Sequence, residues 1–294
     1  MKRWEDDMRN EGRAQGLSRC GLWVLAIVLV GCIAMPVFAG LPAGRRASAM
    51  RRGGGARRMQ GPGRDRAMAA PGMSFRFDLQ NWNQWYKRSL LATSHGAAER
   101  VPQPLANSRE AWYSFLAYWY ATPPPEYAED TCWQADLAAI TGHIHLAEWL
   151  ATSGEMYSAH DTLEPVRRIW MDIRTRNGVQ WFGDEITRYH DVMEPVVLWG
   201  TGQARGGVTE DNFEEFEAEV AALVEAWRDL ARFRFRPRAP RGPGGQLQYR
   251  IFMTQADAAV KRLHRVVEDG WIEDIPEAAR EVKATFLPLF MNFG

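Results

Sequence analysis

The 294-residue chain has little of what most short functional motifs are built from. Its 3 cysteines are too few for a disulfide scaffold. It has no glycine-rich phosphate loop ahead of a helix, no G-x-S-x-G, no C-x-x-C and no C-x-x-C-H. Nucleotide-binding, serine-hydrolase, thioredoxin-like and c-type haem chemistries therefore start without support. No segment sustains a period of two, which excludes an all-β fold. Net charge is missing as well, since 36 Lys+Arg balance 36 Asp+Glu. What is present is apolar and aromatic. Hydrophobic residues make up 46% of the chain, enough for a sizeable core, and its 13 Trp exceed ordinary usage.

The charge balance hides an uneven distribution. Residues 22–39 carry no charge and form the one run long and apolar enough to cross a bilayer. The run ends in Val37-Phe38-Ala39, with Pro36 just upstream to stop a helix. This pattern suits a cleaved signal peptide over 1–39. Two alternatives stay open. Leu29-Val30-Gly31-Cys32 resembles a lipobox, and an uncleaved membrane anchor fits the same run. All three place the bulk of the chain outside the cytoplasm, in a periplasm or anchored to the outer face of an inner membrane. Residues 40–75 follow as a basic arm with eight Arg and one acid, Asp65, and no hydrophobic period. That composition predicts disorder, and contact with anionic lipid is its sharper reading. From residue 76 onward 23 basic residues face 31 acidic ones, which disfavours nucleic acid and is compatible with cations.

The segment 76–294 reads as an all-α domain: an antiparallel helical bundle with additional flanking helices. Helices are expected near 79–93, 108–121, 129–152, 155–176, 181–199, 210–234, 247–269 and 274–291. Breaks fall at Thr122-Pro-Pro-Pro125, Ser153-Gly154, Asn177-Gly178 and Gly200–Gly207, with an internal Pro/Gly linker over 236–246. Short turns between 129 and 199 imply antiparallel neighbours. The final helical pair either completes the bundle or lies outside it. The tryptophans Trp133, Trp149, Trp170, Trp181 and Trp199 read as core by their spacing, and Trp82, Trp85, Tyr86 and Trp112 as a dense aromatic hairpin.

The most informative feature is a repeat. His160-Asp161-Thr162-Leu163-Glu164-Pro165-Val166 recurs thirty positions later as His190-Asp191-Val192-Met193-Glu194-Pro195-Val196. His264 and Glu268 form a looser copy. In each copy Glu follows His by four, so both leave one helix face beside the apolar stripe. A further helix offers His143, His145 and Glu148. His143 and His145 lie about 200° apart and cannot serve one site. Glu148 pairs better with His145. Across the turn near 153, His145 and His160 are level within roughly 3 Å, as are Glu164 and His190 across the turn near 178. Imidazole with carboxylate and no nearby thiol suits iron, zinc or copper. Pro165 and Pro195 each remove a helix N–H and release the carbonyl one turn back. An i,i+4 His–Glu pair is also an ordinary surface ion pair, so the repeat has a purely structural reading as well.

Gly142-His143-Ile144-His145-Leu146-Ala147-Glu148 resembles the G-x-H-x-x-E signature of imelysin-like periplasmic proteins, with the glycine one position early. The resemblance implies a helical, exported protein associated with iron uptake. It assigns ligand roles to His145 and Glu148. The combined expectation is a metal-binding protein for capture, storage or handover. Its candidate ligands are His145, Glu148, His160, Glu164, His190 and Glu194, with His264 and Glu268 in reserve. A membrane transporter or oxidoreductase would be its partner. The rivals are a non-catalytic helical interaction module and a metalloenzyme with an open coordination position.

Overall fold

A computed structural model describes residues 71–94, 101–233 and 242–294. The apolar run at 22–39 and His95 lie outside the described residues, as does the basic arm except for its last five positions. Among the described residues there are eight α-helices and no strand. They are α1 Pro71–Ser94, α2 Pro102–Trp119, α3 Trp133–Thr152, α4 Met156–Arg176, α5 Phe182–Gly200, α6 Phe213–Arg232, α7 Gly242–Glu268 and α8 Ile275–Phe293. None of them is long and apolar enough to cross a membrane.

The helices close into two four-membered rings. The chain neighbours α1–α2, α2–α3 and α3–α4 pack together, and α4 returns to α1. In the same way α5–α6, α6–α7 and α7–α8 pack together, and α8 returns to α5. The final pair thus completes a second bundle, and the expected single bundle with flanking helices becomes two in tandem. The rings meet where α4 packs on α5, so the two copies of the repeat face each other across the seam.

Helix starts follow local chemistry. The second helix begins at Pro102, ahead of the expected 108, because proline suits the first turn, where its N–H would be unpaired anyway. The first helix begins at Pro71, inside the arm expected to be disordered over 40–75. Tertiary packing explains the extension: Phe75 is buried against Phe115, Trp119, Tyr127 and Trp133. Likewise α7 begins at Gly242, so the last part of the expected linker is helical. Both repeat prolines, Pro165 and Pro195, sit inside helices that run through them.

The two cores differ in character. In the first bundle Trp82, Trp112, Phe115, Trp133 and Trp170 form one connected aromatic cluster. Each large side chain buried there contributes about 2–3 kcal/mol. The second holds its rings in groups such as Tyr189 with Trp227 and Phe286, and Trp199 with Phe216, and admits close backbone approach. A Cβ added at Gly200 on α5 would lie 2.9 Å from the Ala279 Cβ on α8. Two tryptophans assigned to the core by spacing are at the surface: Trp149 is 61% exposed and Trp181 40%. Trp149 falls on the outer face of α3, and Trp181 precedes α5 in extended backbone, where helical spacing does not apply. A second tie joins the bundles. Lys87 on α1 is buried, and its Nζ donates to the carbonyls of Phe290, Met291 and Gly294 at 3.2, 3.0 and 2.9 Å.

Candidate functional site

Among the described residues one group of His and acidic side chains could hold a metal ion: Glu164 on α4 with His190 and Glu194 on α5, whose donor atoms lie within 4.8 Å of one another. His160 adjoins the group through Glu164, its Nε2 standing 3.4 Å from Glu164 Oε1. The seam brings these four together because each is displaced from the apolar stripe of its helix toward the neighbouring helix. Leu163 and Val166 on α4, and Met193 and Val196 on α5, fill the two cores.

The hydrogen-bond partners indicate a tautomer for each ring. Leu90 O on α1 accepts only, so His160 Nδ1, 3.1 Å away, carries the proton. Thr93 Oγ1 is also in reach of that nitrogen, at 3.2 Å. In the neutral ring Nε2 is then bare and faces the Glu164 carboxylate. Burial lowers the His160 pKa from its ordinary 6.5, against the raising influence of Glu194, which keeps the neutral form in play. His190 is the mirror case. Arg167 donates only, and its Nη2 approaches His190 Nδ1 at 2.5 Å. The same Nη2 lies 3.4 Å from Nε2, so the shorter contact marks Nδ1 as the bare nitrogen of the neutral ring, and Nε2 stands 3.5 Å from Glu194 Oε2. Burial, and secondly the Arg167 charge, push the His190 pKa well below 6.5. The ring also rests on Phe286 of α8, with centroids 5.3 Å apart.

Arg167 is the residue that sequence reasoning missed. It is 7% exposed and forms an ion pair with Glu164 Oε2 through the same Nη2 that meets His190. Its Nε is buried without a hydrogen-bond partner. Beside it Arg168 grips Asp191 with Nε and Nη2, at 3.1 Å to Oδ2 and 2.9 Å to Oδ1. Tyr86 on α1 donates to Leu163 O at 3.0 Å, and burial raises its phenol pKa. One available signal was that Arg167 lies between Val166 and Trp170 on the buried stripe, where an arginine needs a partner.

The remaining candidates are elsewhere. His145 is exposed on α3, and its Nε2 pairs with the Tyr113 hydroxyl at 2.5 Å. Glu148 pairs with Arg109 at 2.6 Å. Both thus face α2, while it is His143 that contacts α4, through the Thr162 backbone. His145 and Glu148 thus have separate partners, and the α4–α5 group does not include them. His264 and Glu268 form a surface pair on α7 at 3.4 Å. No protein family, curated protein or solved structure matches the chain.

Proposed function

We propose that the chain is a helical metal-binding protein that holds one divalent iron, copper or zinc ion at the seam, using His160, Glu164, His190 and Glu194. The observation that carries this reading is the pair of facing acceptors in the first repeat. His160 Nε2 and Glu164 Oε1 are 3.4 Å apart, and in the neutral ring the one imidazole proton is committed to Leu90 O. In that form two lone pairs at that distance repel unless a cation sits between them. Zinc bonds of about 2 Å place tetrahedral donors roughly 3–3.5 Å apart, which matches. Metal-ligating imidazoles are commonly oriented by a backbone carbonyl on their other nitrogen, the part Leu90 O plays here. The wider group, within 4.8 Å, would have to close by about 1.5 Å.

Capture or handover outside the cytoplasm, at a periplasmic or membrane-anchored location, completes the reading, supported by the apolar run at 22–39 and by the imelysin-like heptapeptide. A carrier is favoured over an enzyme. The second reading is a helical interaction module in which the repeat is structural. It is favoured by Arg167, a cation already lodged between Glu164 and His190.

The test is metal content. The full chain, purified without a histidine tag and loaded with Fe(II), Cu(II) or Zn(II), should retain near-stoichiometric metal by mass spectrometry. Joint His160→Ala and His190→Ala substitution should remove it, while His145→Ala and His264→Ala should not. Absence of metal from every sample would leave the structural reading in possession.

A further inference from the structure

We propose that Arg167 is a built-in competitor for the metal ion, so that its guanidinium and the metal exclude one another at the seam. This rests on the metal-binding reading above. The geometry is specific. A metal bound by His190 must use a bare ring nitrogen, and the bare nitrogen is Nδ1. Arg167 Nη2 stands on that lone pair and on Glu164 Oε2 together. One atom of one side chain thus covers two of the candidate donor residues. The carboxylate oxygen turned toward His160, Glu164 Oε1, is the one left to a metal.

Charge supports exclusion over coexistence. The seam holds Asp161, Glu164, Asp191 and Glu194 against Arg167 and Arg168, with Lys283 of α8 acting on His190. Four carboxylates face three cations. A divalent ion added to that set would leave one uncompensated positive charge in a partly buried place, which is costly unless a resident cation withdraws. Arg168 is held by both oxygens of Asp191 and is 55% exposed at its side chain. Arg167, by contrast, stands on two of the candidate donor residues themselves. Arg167 is therefore the cation that leaves. The metal affinity of the native chain becomes the difference between what the ligands offer the metal and what they offer the guanidinium. Occupancy would also release one of the side chains that cross from α4 to α5.

The experiment compares Zn(II) titrations of the full-length wild type, Arg167→Met and Arg168→Met, with folding checked by circular dichroism. Arg168→Met removes the same charge one residue away and reports general electrostatics. Arg167→Met is expected to bind at least about tenfold more tightly than wild type, and Arg168→Met to change by less than about threefold. In wild type labelled with nitrogen-15, the Arg167 Nε–H resonance should move on Zn(II) addition, while that of Arg174, paired with Asp184, stays. Should Arg167→Met fail to fold, this resonance decides. If wild type binds and Arg167→Met binds no tighter, or the resonance does not move, the competition is wrong and the metal reading stands. If only Arg167→Met binds, the competition is right and metal capture by the native chain is wrong. If neither binds, both fall.

Discussion

On α4, His160 gives its Nδ1 proton to a backbone carbonyl of α1 and turns a bare Nε2 toward Glu164. On α5, His190 receives a guanidinium at Nδ1, turns a protonated Nε2 toward Glu194 and rests on Phe286. The two copies share His, Asp, Glu and Pro at identical spacing and still settle in opposite tautomers. The cause lies outside the repeat. Arg167 and Arg168 follow the first copy, whereas Val197 and Leu198 follow the second. Both arginines reach across to the second copy, one to His190 and one to Asp191. A repeated motif thus specifies which groups are offered, and its neighbours specify in which protonation state.

The strongest way to break this comparison is to remove the acid of each copy in turn. Glu164→Ala leaves Arg167 buried without its carboxylate and should cost about 3 kcal/mol in urea denaturation. Glu194, whose side chain is 28% exposed and 3.5 Å from a neutral imidazole, should cost under about 1 kcal/mol as Glu194→Ala. Equal costs would mean that Arg167 draws no stability from Glu164.

The next effect is pH dependence, measured with a chelator present. Both imidazoles are held below the ordinary 6.5 by burial, His190 further than His160. The unfolded chain therefore takes up these protons first as pH falls. Stability should be flat above about pH 7.5 and fall progressively below about 6.5. His190→Gln should flatten that fall more than His160→Gln. The reverse order would show that the second copy is the more solvated of the two.

The smallest effect concerns the aspartates. Asp191→Asn loosens the Arg168 pair, with side chains 55% and 28% exposed, and should cost about 0.5 kcal/mol. Asp161 is exposed, and Asp161→Asn should lie within about 0.5 kcal/mol of zero. Their order, set by thermal unfolding, tests whether Arg168 acts on the second copy alone.

Much of this was legible from periodicity. The helix between Gly154 and Asn177 and the one ending at Gly200 follow from glycine and apolar spacing, and each His–Glu pair follows from a four-residue step. The closure into two rings was not legible, because spacing gives a buried face without naming the helix that covers it. The choice of His145 over His143 met the same limit: the two point about 200° apart, and only packing shows that His143 meets α4 while His145 meets α2. Arg167 escaped because a stripe reading files an arginine as solvent-facing. Its burial depends on Glu164 and on His190, a residue from the next helix.

The clasp at Lys87 has a consequence for the order in which the molecule is made. Its three carbonyl acceptors lie 203, 204 and 207 residues later in the chain. At roughly 5–20 residues per second, about 10–40 s of synthesis separate the ammonium from the groups that receive it. Until then the charge stays in water, on a helix whose other face already has tryptophans to bury. Translation therefore sets the earliest moment at which α1 can finish folding, and a chain cut before residue 290 lacks all three acceptors.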